Sequence, residues 1–66
     1  MNWDQVEGNW KQHKGKIRTQ WGKLTDDDVE VINGKRTELI GLLQARYGHA
    51  REQAEHEIDQ WTKQIK

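Results

Sequence analysis

Residues 8–24 read Gly-Asn-Trp-Lys-Gln-His-Lys-Gly-Lys-Ile-Arg-Thr-Gln-Trp-Gly-Lys-Leu and contain a Gly-x-apolar triplet that recurs every seven residues. On a helix that turns about 100° per residue, the three glycines of this repeat fall on one side and the apolar side chains on the other. The segment predicts one amphipathic helix from Trp3 or Asp4 to Gly22 or Lys23. Its apolar stripe comprises Trp3, Val6, Trp10, Ile17, Trp21 and Leu24, and the opposite glycine stripe comprises Gly8, Gly15 and Gly22.

The glycine stripe is costly for a helix. Each interior glycine lowers helix stability by about 0.8 to 1 kcal/mol relative to alanine, so this helix depends on docking its tryptophans. Exposed glycines on its back have two explanations: another backbone approaches the helix closely, or the helix is kept easy to melt. The sequence leaves both open.

A second, short helix is predicted to start at Thr25-Asp26-Asp27-Asp28. Thr25 is expected to be the N-cap, and the three carboxylates lie in the first turn, where the helix dipole favours negative charge. This helix buries Val29 and Ile32 and ends at Asn33-Gly34, where glycine can adopt the left-handed conformation. The acidic run lacks the alternating oxygen ligands and central glycine of an EF-hand calcium loop, so capping explains Asp26, Asp27, Asp28 and Glu30.

Two longer helices follow. The third, from about residue 35 to residue 47, places Leu39, Leu43 and Tyr47 on one side with Ile40 beside them, and Gly48 ends it. The fourth, from His49 or Ala50 to Lys63, has an apolar face of Ala54, Ile58, Trp61 and Ile65. Because the connections are only one to three residues long, the expected fold is an all-α bundle of about four helices.

Length and composition predict one small domain spanning residues 1–66. Only 32% of the residues are hydrophobic, against roughly 45 to 50% in ordinary domains, but four tryptophans bury a large area from few positions. The chain has no cysteine, which fits a reducing compartment. With no targeting segment or membrane span recognisable in the sequence, we expect a soluble, cytoplasmic protein.

The charges balance overall but not locally. The chain has 11 basic and 11 acidic residues, so net charge gives no argument for a polyanionic partner. Residues 1–24 carry a surplus of positive charge and residues 25–34 a surplus of negative charge, and the two blocks can neutralise each other. Weak nucleic-acid contact through the first helix is an alternative function, and the basic residues it would use are Lys11, Lys14, Lys16, Arg18 and Lys23.

Four potential metal ligands recur in the last helix at spacings of 3, 4 and 3: His49, Glu52, His56 and Asp59. They are expected to face solvent opposite the apolar stripe, where no third helix can complete a site. His13 lies at the edge of the first apolar stripe and is expected to be a packed or partly exposed histidine. We predict no catalytic residue, no cofactor and no metal site.

Four segments carry a resemblance to a known family: residues 8–17, residues 20–28, residues 34–41, and Arg46-Tyr47-Gly48 followed by residues 53–55. Over nearly its full length the chain is similar to the CsbD-like family of small bacterial stress proteins. The resemblance implies a helical bundle of two crossed α-hairpins, of the SAM-domain-like kind, and a role in the general stress response. It implies no enzyme activity, cofactor or binding residue. His13 departs from it, standing where an aromatic residue is common.

The leading hypothesis is therefore a non-enzymatic bacterial stress-response protein. A mean hydropathy of −1.23 also makes the chain similar in composition to hydrophilins, which are associated with water loss. One alternative is a nucleic-acid-binding module that uses the basic first helix. Another is a helical module that self-associates through spare apolar surface, which zero net charge favours because it gives little repulsion between copies. The expected state is a monomer or weak homo-oligomer. No small-molecule substrate is expected, and an enzyme is the least favoured class.

Overall fold

The computed structural model describes residues 2–65, and this part of the chain forms five α-helices and no strand. The prediction of an all-α fold is confirmed. None of the helices in residues 2–65 has the length and apolarity needed to cross a membrane. The helices are α1 (Trp3–Gly8), α2 (Trp10–Gln20), α3 (Asp26–Ile32), α4 (Arg36–Tyr47) and α5 (Arg51–Gln64).

The prediction of one continuous first helix is wrong, because the chain breaks at Asn9. This residue leaves helical geometry (φ −117°, ψ 42°), ends α1 and begins α2 without a side-chain cap. Its side-chain amide donates to the carbonyl of Gln5, which also accepts the backbone N–H of Asn9 at 3.1 Å. Gly8 and Asn9 are both weak helix formers. The break raises the helix count from the expected four to five.

The first predicted segment also ends earlier than expected. Helix α2 stops at Gln20, and Trp21 leaves helical geometry (φ −121°, ψ 83°). Trp21 and Leu24 nevertheless lie in the core, with 2% and 1% of their surface exposed. The polypeptide therefore buries both side chains from the loop after α2 and not from a further helical turn.

Helix α3 begins as predicted. The hydroxyl oxygen of Thr25 accepts a hydrogen bond from the backbone N–H of Asp28, and the Asp28 carboxylate accepts one from the N–H of Thr25, both at 3.1 Å. This reciprocal pair is a capping box. The helix ends in a left-handed turn, in which both Asn33 (φ 43°) and Gly34 (φ 82°) have positive φ.

Helices α4 and α5 form the other half of the fold and contact each other along their apolar faces. Gly48 ends α4 in the left-handed conformation (φ 70°), as the sequence predicts. One hydrophobic core joins all five helices, and its buried residues are Val6, Ile17, Trp21, Leu24, Val29, Ile32, Leu39, Ile40, Leu43, Ala54, Ile58 and Trp61. Trp3 and Trp10, expected in the core stripe, are only partly buried and pack against its edge.

Helix α1 lies across the turn between α3 and α4, and we call it the α1 strap. Two of its own residues attach it to the rest of the protein. The side chain of Val6 is fully buried, and the indole Nε1–H of Trp3 donates to the carbonyl of Gly34 at 2.9 Å. A β-carbon added to Gly34 would lie 3.1 Å from the Cγ of Glu7. The positive φ therefore favours glycine at this position, and a larger residue would also have to push the Glu7 side chain aside.

Candidate functional site

The glycine stripe lies on the outer surface, as predicted, and within residues 2–65 nothing packs against it. Gly8, Gly15 and Gly22 are exposed. A β-carbon built on any of them would meet no atom within 4 Å. Of the two explanations for the stripe, close approach by another part of the described chain is therefore eliminated.

Gly15 lies on a ridge between two grooves, which we call the Gly15 ridge. Thr19, one turn further along α2, forms the other part of the ridge, and its hydroxyl donates to the carbonyl of Gly15 at 3.0 Å. The α2–α3 groove is lined by Lys14, Gly15, Arg18, Thr19, Asp26, Val29 and Glu30. The α2–α5 groove is lined by Gln12, Gly15, Lys16, Thr19, Gln20, Trp61, Gln64 and Ile65.

Ion pairs span the α2–α3 groove. Lys14 donates to the carboxylate of Glu30, and Arg18 donates to the carboxylate of Asp26 at 2.6 Å. The expected neutralisation between the basic and acidic blocks is thus confirmed at these two pairs. Since all four side chains are at least about a third exposed, the two pairs contribute little stability. Lys14 and Arg18, two of the five basic residues named for nucleic-acid contact, are thus already paired with carboxylates.

The other three cations are dispersed. The Lys23 ammonium lies 5.1 Å from the centre of the Tyr47 ring, a cation–π arrangement. Lys11 and Lys16 are exposed, and no carboxylate in residues 2–65 lies within salt-bridge distance of them. The tryptophans between these cations are also unsuited to base stacking, because Trp21 is buried and Trp10 packs 6.3 Å from Trp3.

Asp28 has a role that the sequence pattern does not reveal. Besides capping α3, its carboxylate accepts two hydrogen bonds from the guanidinium of Arg46 at 2.9 and 3.1 Å. The hydrogen bonds from Arg46, and then from the Thr25 backbone, hold the pKa of Asp28 below its usual value. The same ion pair raises the pKa of Arg46. This pair ties α3 to the last turn of α4 and is structural.

The expectation that four potential metal ligands share one solvent-facing side of the last helix is wrong for His49. This residue precedes α5 and is half-buried, with its ring stacked on Tyr47. Its Nε2 lies 2.9 Å from the carboxylate of Glu57, whose other oxygen accepts the indole N–H of Trp21. Among the remaining three, Glu52 and His56 are exposed and Asp59 pairs with Arg36. In residues 2–65 no three such side chains converge as metal ligands do.

His13 is packed inside the protein with 3% of its surface exposed. Its Nδ1 donates to the carbonyl of Asn9 at 3.0 Å, so the imidazole supports the break between α1 and α2. The ring meets Trp61 edge-on at 6.4 Å, and its Nε2 has no hydrogen-bond partner in the described structure. Its hydrogen bond to Asn9 gives His13 a structural role at the break between α1 and α2.

Comparison with known proteins assigns this architecture to a family. A family model described as CsbD-like matches residues 4–56. The UPF0337 protein YjbJ of Escherichia coli O6:H1 is 59% identical over 63 residues, which are 96% of this chain and 91% of that protein. YjbJ of Salmonella typhimurium is 59% identical over 61 residues, 92% of this chain and 87% of that protein. A UPF0337 protein of Rhodopseudomonas palustris is 53% identical over 66 residues, 100% of both chains.

Proposed function

Since the chain belongs to the CsbD-like family, we propose that it is a non-enzymatic stress-response protein of the bacterial cytoplasm. The proposed action is protection during water loss by a very hydrophilic chain whose N-terminal half, α1 and α2, opens easily. In the open form this half makes weak contacts with many partners, as hydrophilic and partly folded chains do. No dedicated ligand is required.

The observation that carries this proposal is the open space above the glycine stripe. Gly8 and Gly15 lower helix stability, yet alanine would fit at either position without meeting another atom. The packing of the described chain gives no reason to keep glycine there. A role that depends on a readily melted α1–α2 segment supplies a reason.

The test separates stability from protection. Replacing both Gly8 and Gly15 with alanine is expected to raise the free energy of unfolding by about 1 kcal/mol, mostly through Gly15, because alanine is the better helix former inside a helix and Gly8 is the last residue of α1. In a deletion strain, the double variant is expected to support survival of osmotic or desiccation stress less well than the wild type. Thermal unfolding and survival counts measure the two effects.

Gly41→Ala is the matched control. Gly41 is an exposed glycine in the middle of α4, and alanine there would also meet no atom within 4 Å. This variant is expected to be more stable by up to about 1 kcal/mol and to protect like the wild type. Equal protection by all variants would contradict the proposal, and so would an equal loss in Gly41→Ala, which would place the requirement in overall stability.

Self-association is the second candidate, because the Gly15 ridge lies between two grooves and has no side chain that would keep another backbone away. Self-association predicts a sedimentation coefficient that rises with protein concentration. Gly15→Ala is expected to abolish this concentration dependence. Nucleic-acid binding has weaker support, since Lys14 and Arg18 are already paired with carboxylates. It predicts a salt-dependent shift of labelled DNA or RNA that Lys11→Ala and Lys16→Ala reduce.

A further inference from the structure

The turn between α3 and α4 combines two residues that the fold itself selects. Asn33 ends α3 in the left-handed conformation, which asparagine tolerates better than most residues. Gly34 follows with φ 82° and has Glu7 of the α1 strap 3.1 Å from the place of a β-carbon. The left-handed turn therefore favours asparagine at residue 33 and glycine at residue 34, and Asn33 is exposed.

An Asn-Gly pair has a chemistry of its own. A backbone nitrogen can attack the side-chain amide of the preceding asparagine, and glycine permits this because it has no β-carbon to obstruct the approach. The chain contains two other asparagines, Asn2 and Asn9, and each is followed by a bulky tryptophan. Asn33 is the site at which this attack meets least steric resistance.

We propose that Asn33 is a site of spontaneous deamidation, and that the α1 strap slows this reaction while it is docked on the turn. In the reaction the Gly34 nitrogen bonds to Cγ of Asn33, the Cγ–Nδ2 bond breaks, and the amide nitrogen leaves as ammonia with the proton of the Gly34 N–H. Water then opens the succinimide ring. Attack at Cγ gives aspartate, and attack at the main-chain carbonyl carbon gives isoaspartate, with no change in oxidation state.

The folded turn holds the reacting atoms apart. With ψ of Asn33 at 44°, the Gly34 nitrogen points away from the asparagine side chain, and ring closure requires a large rotation about this bond. Two hydrogen bonds oppose that rotation: Lys35 N–H to the Ile32 carbonyl at 2.7 Å and the Trp3 indole to the Gly34 carbonyl at 2.9 Å. Release of the α1 strap removes the second bond, so the reaction records local opening.

Deamidation of Asn33 is expected to hinder the return of the α1 strap to its docked position. Aspartate adds a negative charge at the C-terminal end of α3, where the helix dipole disfavours it. Isoaspartate instead lengthens the main chain by one carbon within the left-handed turn that receives Trp3. Both products leave a turn that holds the α1 strap less firmly than Asn33 does.

The experiment is peptide mapping by mass spectrometry after incubation of the full chain at mildly alkaline pH. In concentrated urea, conversion is expected at Asn33 well before Asn2 or Asn9. Without urea, conversion of Asn33 is expected to be much slower. Trp3→Phe, which removes the indole donor, is expected to accelerate conversion in the folded protein by about two- to tenfold, the population change that loss of one hydrogen bond produces.

Tyr47→Phe is the matched control, because it removes one side-chain bond to a backbone group, from Lys23 N–H, at the far end of α4. It is expected to leave the rate at Asn33 unchanged. Equal rates in folded and unfolded wild type, or equal acceleration by the two variants, would overturn the proposal. If Trp3→Phe proves unfolded by circular dichroism, conversion of wild type in urea below the unfolding transition decides: a rise supports strap opening and a constant rate contradicts it.

Discussion

Helices α1 and α2 run for 6 and 11 residues and are separated by a break at Asn9, whereas α4 and α5 run for 12 and 14 residues on either side of a left-handed Gly48. The first pair carries exposed glycines and two tryptophans that are only partly buried. The second pair presents continuous apolar faces to the core. Since local stability follows buried apolar contact, the α1–α2 half should open before the α4–α5 half.

Aromatic contacts help to join the two halves, which also share one hydrophobic core. Trp21, after α2, lies 5.5 Å from Trp61 of α5, and its indole N–H donates to Glu57 at 3.0 Å. Trp3 and Trp10 lie at the edge of the core on the α1–α2 side. The α1–α2 half is therefore anchored at its C-terminal end by Trp21. At its N-terminal end, the α1 strap is attached to the α3–α4 turn through Trp3.

Truncation of tryptophans should give the largest effect and test this asymmetry. Trp21→Ala is expected to lower the free energy of unfolding by about 3 to 5 kcal/mol, because it empties a buried aromatic position. Trp10→Ala should cost clearly less, because the side chain is only partly buried. Urea unfolding followed by circular dichroism measures both. Equal losses would contradict the assignment of Trp10 to the edge of the core.

Acid should test the tie between α3 and α4. Because Arg46 lowers the pKa of Asp28 in the folded protein, the pair stabilises the fold above the unfolded-state pKa of about 4. That contribution is expected to be lost as pH falls below about 4. Asp28→Asn should therefore flatten the acid limb of stability against pH. Asp59→Asn, at the exposed pair with Arg36, serves as control and should keep the wild-type limb.

The cap of α3 should give a smaller effect. Thr25→Ala removes the acceptor for the Asp28 N–H and is expected to cost about 0.5 to 2 kcal/mol. Thermal melting measures the loss, and Thr25→Ser, which keeps the hydroxyl, should recover most of it. An unchanged melting temperature in Thr25→Ala would show that the capping box contributes nothing to the fold.

The sequence predicts the C-terminal elements well because their signals are local. Thr25 with Asp28, the Asn33-Gly34 turn and Gly48 each act on backbone groups within a few residues. Apolar spacing also places the core faces of α4 and α5 correctly. Such signals depend on one helix at a time, and a single sequence contains them completely.

The failures concern contacts between distant residues. Nothing in the spacing of Asp28 and Arg46 indicates that they pair, because the contact depends on how α3 and α4 pack. The same holds for His49 and Glu57, which meet through a turn of the chain before α5. At Asn9 the heptad pattern continues unbroken in the sequence, while the structure bends there and buries His13.

Native-state hydrogen exchange tests the central claim most directly, namely that the α1–α2 half opens before the α4–α5 half. Backbone amides in the middle of α2, near Ile17, are expected to exchange through openings of lower free energy than amides near Leu43 and Ile58. Gly15→Ala should narrow that gap by about 1 kcal/mol. One common opening free energy for all three sites, unaffected by Gly15→Ala, would contradict the account.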